Sequence, residues 1–318
     1  MRALLAALLA IAATLCGAQP AGGGAGLTRI VVPFAPGGVQ DILARAMSAE
    51  LGAQLGRSVI VENRPGAGGT IGTAFVAKSA PDGHTLVLAA ASHTIAGSLY
   101  ARLPYDPIAD FTGVAHIGSA GYVLMVNAAV PAKNVAELIT YLKANPGKLN
   151  YASAGNGSAT HLSMAYFAGL AGVEMVHIPF KATGEAVNEV LAGRAHAVIA
   201  ANIGALPYVN EPRVRMLGVT SAQRSKFLPE LPPVADALPG YEFDSWFGLL
   251  GPAAIPKAEA EKINAALGKL LADPLILERL AKQGIEPKAL GVEQFNTLLR
   301  ADFVKMAKVV KASGARID

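Results

Sequence analysis

The fold of this chain is most constrained by a strand, a glycine loop and a helix that follow one another within residues 30–45, IVVPFAPGGVQDILAR. The apolar residues at its start predict a β-strand, and the PGG sequence at 36–38 predicts a tight turn. Leu43, Met47 and Leu51 then recur four residues apart, which is the spacing of one helix face. A strand that turns directly into a helix is the basic unit of an α/β protein.

The glycine loop of this unit also predicts a place for an anion. Gly37 and Gly38 can adopt backbone angles closed to other residues, and they leave space for a ligand beside the main chain. The first amides of the following helix have no partner within the helix and lie at the positive end of its dipole. An anion can bind there without lysine or arginine. The alternative interpretation is an ordinary βα turn that binds no ligand.

The second half of the chain repeats this unit. Residues 149–170, LNYASAGNGSATHLSMAYFAGL, predict a strand, a loop containing Gly155, Asn156 and Gly157, and a helix with Ser158 as its N-cap. Ligands of open parallel sheets bind beyond the carboxyl ends of the strands. Two such sheet edges that face each other would form a cleft with amide donors on both sides.

Strand and helix patterns alternate around both units. Apolar runs predict strands at 85–90, 176–179 and 197–201, and helical spacing predicts helices at 133–145 and 183–191. This alternation predicts two α/β units, each with a parallel sheet covered by helices on both faces.

Composition favours a globular protein with a small-molecule ligand. The chain has 318 residues, which suits two domains, and 52% of its residues are hydrophobic while 16% are charged. The formal net charge of +4 is spread without any block of lysine or arginine. This distribution argues against a nucleic-acid partner and mildly favours an anionic small molecule.

Residues 1–18 have the pattern of a secretory signal peptide. Arg2 forms the positive start, residues 3–15 are apolar, and small residues before Gln19 suit cleavage. The apolar run is too short to span a bilayer. Cys16 is the only cysteine, and the leucine before it argues against lipid attachment, so the mature chain would contain no disulfide and no thiol nucleophile. We therefore predict export to the periplasm with cleavage of the signal peptide.

The motifs of common enzyme classes do not fit the sequence. The residues around Ser158 read GNGSA rather than G-x-S-x-G, and the glycine-rich segment 66–72 does not match G-x-G-x-x-G. The six histidines form no pair at a helical spacing beside a carboxylate, so we predict no metal site and no cofactor. A hydrolase or an oxidoreductase on the same α/β topology is an alternative that these observations disfavour.

Four polar residues near the predicted loops each allow two interpretations. His161, one turn into its helix, and His177, in an apolar strand, suit a core role better than ligation. Asp41, early in its helix, either complements the helix dipole or binds a ligand hydroxyl or a water. Lys181, after a strand end, is either solvated or the one cation near a bound carboxylate.

Motifs along nearly the whole mature chain resemble those of the Bug-type receptors of tripartite tricarboxylate transporters. In order, they are VVPFAPGG..D.LAR, VENRPGAGG, PDGHTL, KANPGKLNYASAGNGS..HL, AGV..H.P.K and SWFGLLGPA. The resemblance implies a type II periplasmic binding protein fold, an α/β fold in which two Rossmann-like lobes with parallel-rich sheets are joined by hinge strands. In this fold the lobes close on a small carboxylate.

The apolar strands that begin and end the second unit predict crossings between the lobes near residues 123–126 and 246–250. The first lobe would then consist of residues 27–125 and 249–318, and the second of residues 126–248. The resemblance places the ligand among three loops and two strand ends at the cleft. In this sequence the implied ligand-binding residues are Phe34, Pro36, Gly37, Gly38, Val39, Gln40, Asp41, Ser92, His93, Thr94, Ser153, Gly155, Asn156, Gly157, Ser158, Thr160, His161, Phe180, Lys181 and Asn202.

Four positions depart from the pattern of the family. Phe180 and Ala182 stand where a tyrosine and a glycine are usual. Ala201 stands where an aspartate is common, and Gln40 where a threonine is frequent. The loss of a phenol and a carboxylate predicts a less polar cleft, and hence a ligand with an apolar or aromatic body. We expect mono- and dicarboxylates to bind, and tricarboxylates to bind less well.

The sequence thus predicts a monomeric, non-enzymatic periplasmic receptor that delivers a small carboxylate to the membrane permease subunits of a tripartite tricarboxylate-type transporter. The predicted partners are this ligand and the permease, without nucleic acid, metal or cofactor. An alternative is a carboxylate-sensing protein that presents its closed form to a signalling partner.

Overall fold

The computed structural model describes residues 26–315, and strands and helices alternate along most of this part of the chain. The predicted signal peptide at 1–18 lies outside the described residues. In chain order the strands are β1 (Thr28–Val32), β2 (Val59–Asn63), β3 (Thr85–Ala90), β4 (Phe111–Ala120), β5 (Tyr122–Asn127), β6 (Asn150–Ser153), β7 (Val176–Pro179), β8 (Ala197–Ala201), β9 (Val214–Val219), β10 (Ser245–Pro252) and β11 (Glu286–Pro287).

Helices connect most of these strands, and local signals in the sequence set several of their ends. In chain order the α-helices are α1 (Val39–Leu55), α2 (Thr70–Ala77), α3 (Ser92–Leu99), α4 (Val135–Ala144), α5 (Ala159–Ala171), α6 (Thr183–Leu191), α7 (Asn202–Ala205), α8 (Lys257–Leu270), α9 (Pro274–Ala281) and α10 (Val292–Ser313). α1 ends at Gly56, whose φ of 68° is the left-handed conformation that suits a helix C-terminus. α5 begins after Ser158, whose side chain accepts a hydrogen bond from the His161 N–H.

The strands form two sheets, as the two repeated units predict. The first has the order β11-β4-β10-β3-β1-β2, and the second has the order β7-β6-β8-β5-β9. In the first sheet β1, β2 and β3 are parallel, while β10 lies antiparallel between β3 and β4. In the second sheet β6, β7 and β8 are parallel, and β5 is antiparallel to β8 and β9. The carboxyl ends of the parallel strands therefore share one edge of each sheet.

The chain passes between the two sheets twice. It leaves the first sheet at Gly121, between β4 and β5, and it returns along residues 220–244 to the start of β10. The crossings predicted near 123–126 and 246–250 fall inside β5 and β10. The sheets therefore change a few residues before each predicted point, and the lobe boundaries themselves stay a prediction.

Helices pack on both faces of each sheet. In the second sheet Leu124 and Val126 face the core shared with α4 and α5, whereas Val123 and Met125 face α6 and α7. This alternation follows from the two-residue period of a strand. In the first sheet one face packs against α1, α8 and α9, and the other packs against α3 and α10. α10 also contacts α5, so the C-terminal helix packs against both lobes.

Two elements beside the cleft, β4 and α3, were not predicted from the sequence. β4 has the sequence FTGVAHIGSA, in which glycines and polar residues interrupt any apolar alternation. It is nevertheless a strand because β10 and β11 pair with it on either side. A side chain at Gly118 would lie 2.3 Å from the Glu286 carbonyl oxygen, so the glycine allows β11 to approach closely.

Candidate functional site

A cavity of about 550 Å³ lies between the lobes, at the edges where the strands of both sheets end. The lobes touch on either side of it. A methyl group added to Gly157 would lie 2.7 Å from Leu99 Cδ2, and one added to Gly284 would lie 3.1 Å from the Ile203 nitrogen. The wall residues are Phe34, Val39, Gln40, Gly68, Ala90, Ala91, Ser92, Ile95, Ala96, Leu99, Tyr100, Ala120, Tyr122, Ala154, Asn156, Gly157, Ser158, Ala159, Ala201, Ile203, Ser245, Phe247 and Gln283.

Predicted residues from three separate loops come together on this wall. The loops follow β1, β3 and β6, and they lead into α1, α3 and α5. Their side chains meet because the carboxyl ends of parallel strands share one sheet edge. The predicted residues on the wall are Phe34, Val39, Gln40, Ser92, Asn156, Gly157 and Ser158.

The N-terminus of α5 offers free backbone donors to the cavity. Ser158 Oγ accepts from the His161 N–H at 3.2 Å, and the Gly157 N–H donates to His161 Nδ1 at 3.0 Å. The next two N–H groups, at Ala159 and Thr160, have no partner within the helix. The first turn of α5 contains no acidic residue that would compete for them. This helix end can therefore bind an anion.

The N-terminus of α1 is different because its first turn contains a carboxylate of the protein, that of Asp41. Asp41 accepts hydrogen bonds from the Gly37 N–H at 2.9 Å, from Asn63 Nδ2 at 2.9 Å and from Arg45 Nε at 3.0 Å. Burial acts to raise the pKa of Asp41, but the hydrogen bonds from Arg45, Gly37 and Asn63 outweigh it, and the pKa lies below its usual value. Asp41 is buried behind the loop and is not on the cavity wall.

Two stacked histidines support the α5 loop from behind. The rings of His161 and His177 lie 4.0 Å apart and nearly parallel, and Tyr151 stacks on His177 at 4.9 Å. Burial and the neighbouring His177 lower the pKa of His161 to about 4. His161 is thus neutral at pH 7, and its Nδ1 is free to accept the hydrogen bond from Gly157. The second ring is held by Ser153 Oγ, 2.6 Å from His177 Nε2.

His93 and Thr94 face away from the cavity. His93 is buried, and its Nε2 lies 2.8 Å from the Pro107 carbonyl oxygen. Burial lowers the pKa of His93 to about 4, against the effect of that hydrogen bond. Thr94 Oγ1 donates to Asp302 Oδ2 at 2.5 Å, which ties α3 to α10. These two residues support the wall that the neighbouring Ser92 forms.

The remaining predicted residues surround the wall without forming it. Lys181 is exposed, and its backbone N–H donates to Glu185 Oε2 at 3.1 Å. Asn202 is buried next to the wall, with its Oδ1 atom unpaired among the described residues. The predicted residues that are not part of the wall are Pro36, Gly37, Gly38, Asp41, His93, Thr94, Ser153, Gly155, Thr160, His161, Phe180, Lys181 and Asn202.

Other wall residues were missed by sequence reasoning. Tyr122 and Ser245 begin β5 and β10 at the two chain crossings, and Gln283 follows α9 near the C-terminal end of the chain. Leu99 and Tyr100 belong to the unpredicted α3 and the residue after it. The apolar and small residues of α3 show no motif, so only the packing of the lobes indicates that they line a cavity.

The wall suits a neutral or singly anionic ligand. None of its residues within the described 26–315 carries a charge at neutral pH, and most are apolar. In the same part of the chain no group of three or more His, Cys, Asp and Glu side chains is arranged to hold a metal ion. No helix there is both long and apolar enough to cross a membrane. Binding through hydrogen bonds and apolar contact is the chemistry that this wall can perform.

A cavity between two α/β lobes, with a helix N-terminus on its wall, is the architecture of a two-lobed solute-binding protein. The family model described as "Tripartite tricarboxylate transporter family receptor" matches residues 43–315, and the chain belongs to this family. The resemblance to Bug-type receptors and the predicted fold class are thus confirmed. Members of this family are periplasmic receptors that bind carboxylates and work with transporter components, and they are not enzymes.

Individual relatives agree along most of the chain. A UPF0065 protein in the tcbD-tcbE intergenic region of Pseudomonas sp. (strain P51) is 36% identical over 282 residues, which cover 88% of this chain and 84% of the relative. Protein BugT of Bordetella pertussis is 32% identical over 296 residues, covering 91% and 90%. The solved structure of R. palustris Rpa4515 with adipate superposes with a TM-score of 0.76 at 32% identity, covering 92% and 98%.

Proposed function

We propose that this chain binds a small organic carboxylate with an apolar body in the interlobe cavity and delivers it to the membrane permease subunits of a tripartite tricarboxylate-type transporter. The observation that carries this proposal is the N-terminus of α5 on a wall that is otherwise uncharged and largely apolar. The presence of adipate in the structure of the relative Rpa4515 supports a carboxylate as the ligand class.

The two parts of the wall account for the two parts of such a ligand. The N–H group of Ala159, which lines the wall, can donate to a carboxylate oxygen, and the helix dipole favours the negative charge. Phe34, Ile95 and Phe247 provide apolar surface for the body of the ligand. A sugar would leave these apolar groups poorly matched, and an amine would meet the wrong end of the helix dipole.

A thermal-shift screen tests the ligand class. Hexanoate, benzoate and adipate should raise the melting temperature, whereas glucose and putrescine should not. A ligand present at about a hundred times its dissociation constant stabilises the native state by about 2.7 kcal/mol, which is several degrees for a chain of this size. The proposal fails if none of these carboxylates shifts the melting temperature while glucose or putrescine does.

A proline at the first position of α5 tests the anion site itself. Ala159→Pro removes one N–H, and proline is tolerated there because the preceding Ser158 already has extended backbone angles (φ −67°, ψ 157°). Calorimetry with the carboxylate that binds best should show that the affinity falls about tenfold or more, which is the scale of one charge-assisted hydrogen bond. Lys257→Pro, at the first position of α8 and outside the cavity wall, is the matched control.

The same calorimetry tests whether Lys181 contributes to carboxylate binding, a question with two answers in the sequence analysis. Lys181 is exposed and is not on the wall, so Lys181→Met should change the affinity less than Ala159→Pro does. The opposite ranking would contradict an anion site built from backbone amides.

The cellular part of the proposal is separate from ligand binding. We propose that residues 1–18 are removed on export and that the mature protein acts as a monomer in the periplasm. Cell fractionation with intact-mass analysis of the exported protein should show a chain without its first 18 residues or so. Light scattering should give the mass of one copy. Deletion of the permease genes should abolish uptake of the ligand to the same extent as deletion of the receptor gene. A full-length cytoplasmic protein would contradict this part alone.

A further inference from the structure

The two ends of the cavity differ in their chemistry. α5, with its free N–H groups, packs on the face of the second sheet that contains Leu124 and Val126. α7 packs on the opposite face, and Ile203 of α7 lines the other end of the cavity. A ligand whose carboxylate binds at α5 therefore extends towards α7.

Two glutamines lie at this far end. α1 and α9 pack on the same face of the first sheet, and Arg279 of α9 donates to the Ala46 carbonyl oxygen at 2.7 Å. Gln283 follows Arg279 by four residues, and Gln40 precedes Ala46 by six residues at the start of α1. Both glutamines line the wall of the cavity. The neighbour of Gln283, Gly284, packs against Ile203 across the lobe interface.

No charge is available at the far end to neutralise a second carboxylate. The wall residues of the described chain are uncharged. The nearest helix N-terminus, that of α1, carries the carboxylate of Asp41 in its first turn, whereas the first turn of α5 contains no acidic residue. A second ligand carboxylate there would be buried without a counter-charge and close to Asp41, which is unfavourable. A primary amide side chain, in contrast, has both donors and an acceptor for an uncharged polar group.

We propose that Gln283, together with Gln40, recognises an uncharged hydrogen-bonding group at the far end of the ligand. The receptor therefore selects a monocarboxylate with an apolar body and a hydroxyl, carbonyl or amide tail over the corresponding dicarboxylate. This inference rests on the proposed carboxylate function, and it assigns the specificity of the same cavity to a residue from the C-terminal part of the chain.

Calorimetry with three matched acids tests it: adipate, the monoamide of adipic acid, and hexanoate. The monoamide should bind the wild type about tenfold or more tightly than adipate, because only its tail matches the uncharged far end. Gln283→Leu should lower the affinity for the monoamide about tenfold and change the affinity for hexanoate by no more than about twofold. Gln283→Arg supplies the missing positive charge and should shift the preference towards adipate.

The controls separate specificity from folding and from the general function. Gln54, exposed on α1 and away from the cavity, is changed to Leu and to Arg, and neither change should alter the order of the three acids. The specificity proposal is overturned if the wild type prefers adipate and the Gln283 variants keep that order, although carboxylate binding then stands. If none of the three acids binds the wild type, the specificity proposal falls together with the proposed function.

Discussion

We expect Asp244 to make the folding stability of this protein depend on pH near neutrality. The residue ends the second crossing between the lobes, next to β10, and its Oδ1 atom is buried without a hydrogen-bond partner among the described residues. Burial is the main cause that raises its pKa from 3.8 to about 7, and Glu242 adds to this, while Lys305 opposes it. Folding therefore favours the protonated carboxyl.

The sign and the size of the effect follow from linkage. The folded state holds the proton more tightly than the unfolded state, so this stabilisation is present at acidic pH and is lost as the pH rises through about 7. With a pKa of 3.8 in the unfolded state and about 7 in the folded state, the unfolding free energy should fall by at most about 2.6 kcal/mol between pH 5 and pH 8. The side chain is only half-buried and lines two polar cavities, so water screens part of this effect. We therefore expect the unfolding free energy to change by half of this upper value, about 1.3 kcal/mol.

The perturbation is Asp244→Asn, which keeps the shape and removes the titration. Urea denaturation of wild type and variant at several pH values from 5 to 8 gives the difference in unfolding free energy. Relative to the wild type, the variant should gain about 1.3 kcal/mol as the pH rises from 5 to 8. Taking this difference cancels the opposite pH dependence of His93 and His161, whose lowered pKa values destabilise the fold in acid. The exposed Asp236→Asn is the control.

One result would contradict the titration of Asp244 between pH 5 and pH 8. If the difference between Asp244→Asn and the wild type is constant from pH 5 to pH 8, the carboxyl does not titrate in this range in the folded protein. The assigned effect of burial at the second crossing would then be wrong.

Two further predictions concern the α5 loop. Ser158→Ala removes the N-cap that accepts from the His161 N–H, so the unfolding free energy should fall by about 1 kcal/mol in urea denaturation; an unchanged value would show that the cap is dispensable. Gly157→Ala places a methyl group 2.7 Å from Leu99 Cδ2 at a φ of +73°, so small-angle scattering should show a larger radius of gyration. Adding Leu99→Ala should restore part of the compaction, and no difference among these proteins would contradict the lobe contact.

Much of the local structure could be predicted because its signals lie close together in the sequence. The strand at 176–179, the helix at 183–191 and the strand at 197–201 have the predicted bounds. Apolar runs and N-terminal signals act over a few residues, and they suffice to define such elements. The same is true of the loops before α1 and α5, where glycines and the Ser158 cap predict residues that do reach the cavity wall.

Some elements depend on partners that are distant in sequence. β4 lacks a strand pattern and forms because β10 and β11 pair with it, more than a hundred residues later in the chain. The resemblance to the receptor family implies the fold, but it does not say which side chains of a loop face the ligand. His93 and Thr94 follow Ser92 directly, yet they point into the core while Ser92 lines the cavity.

The sequence by itself determined the two α/β units, the family and the helix N-terminus that can bind an anion, because each rests on local patterns or on motifs. Only the tertiary structure decided that Asn63 donates to Asp41, which lies off the cavity wall, and that Gln40 and Gln283 share that wall. The physical reason is distance along the chain. Residues hundreds of positions apart meet only after strand order and helix packing are complete, and no local pattern encodes that meeting.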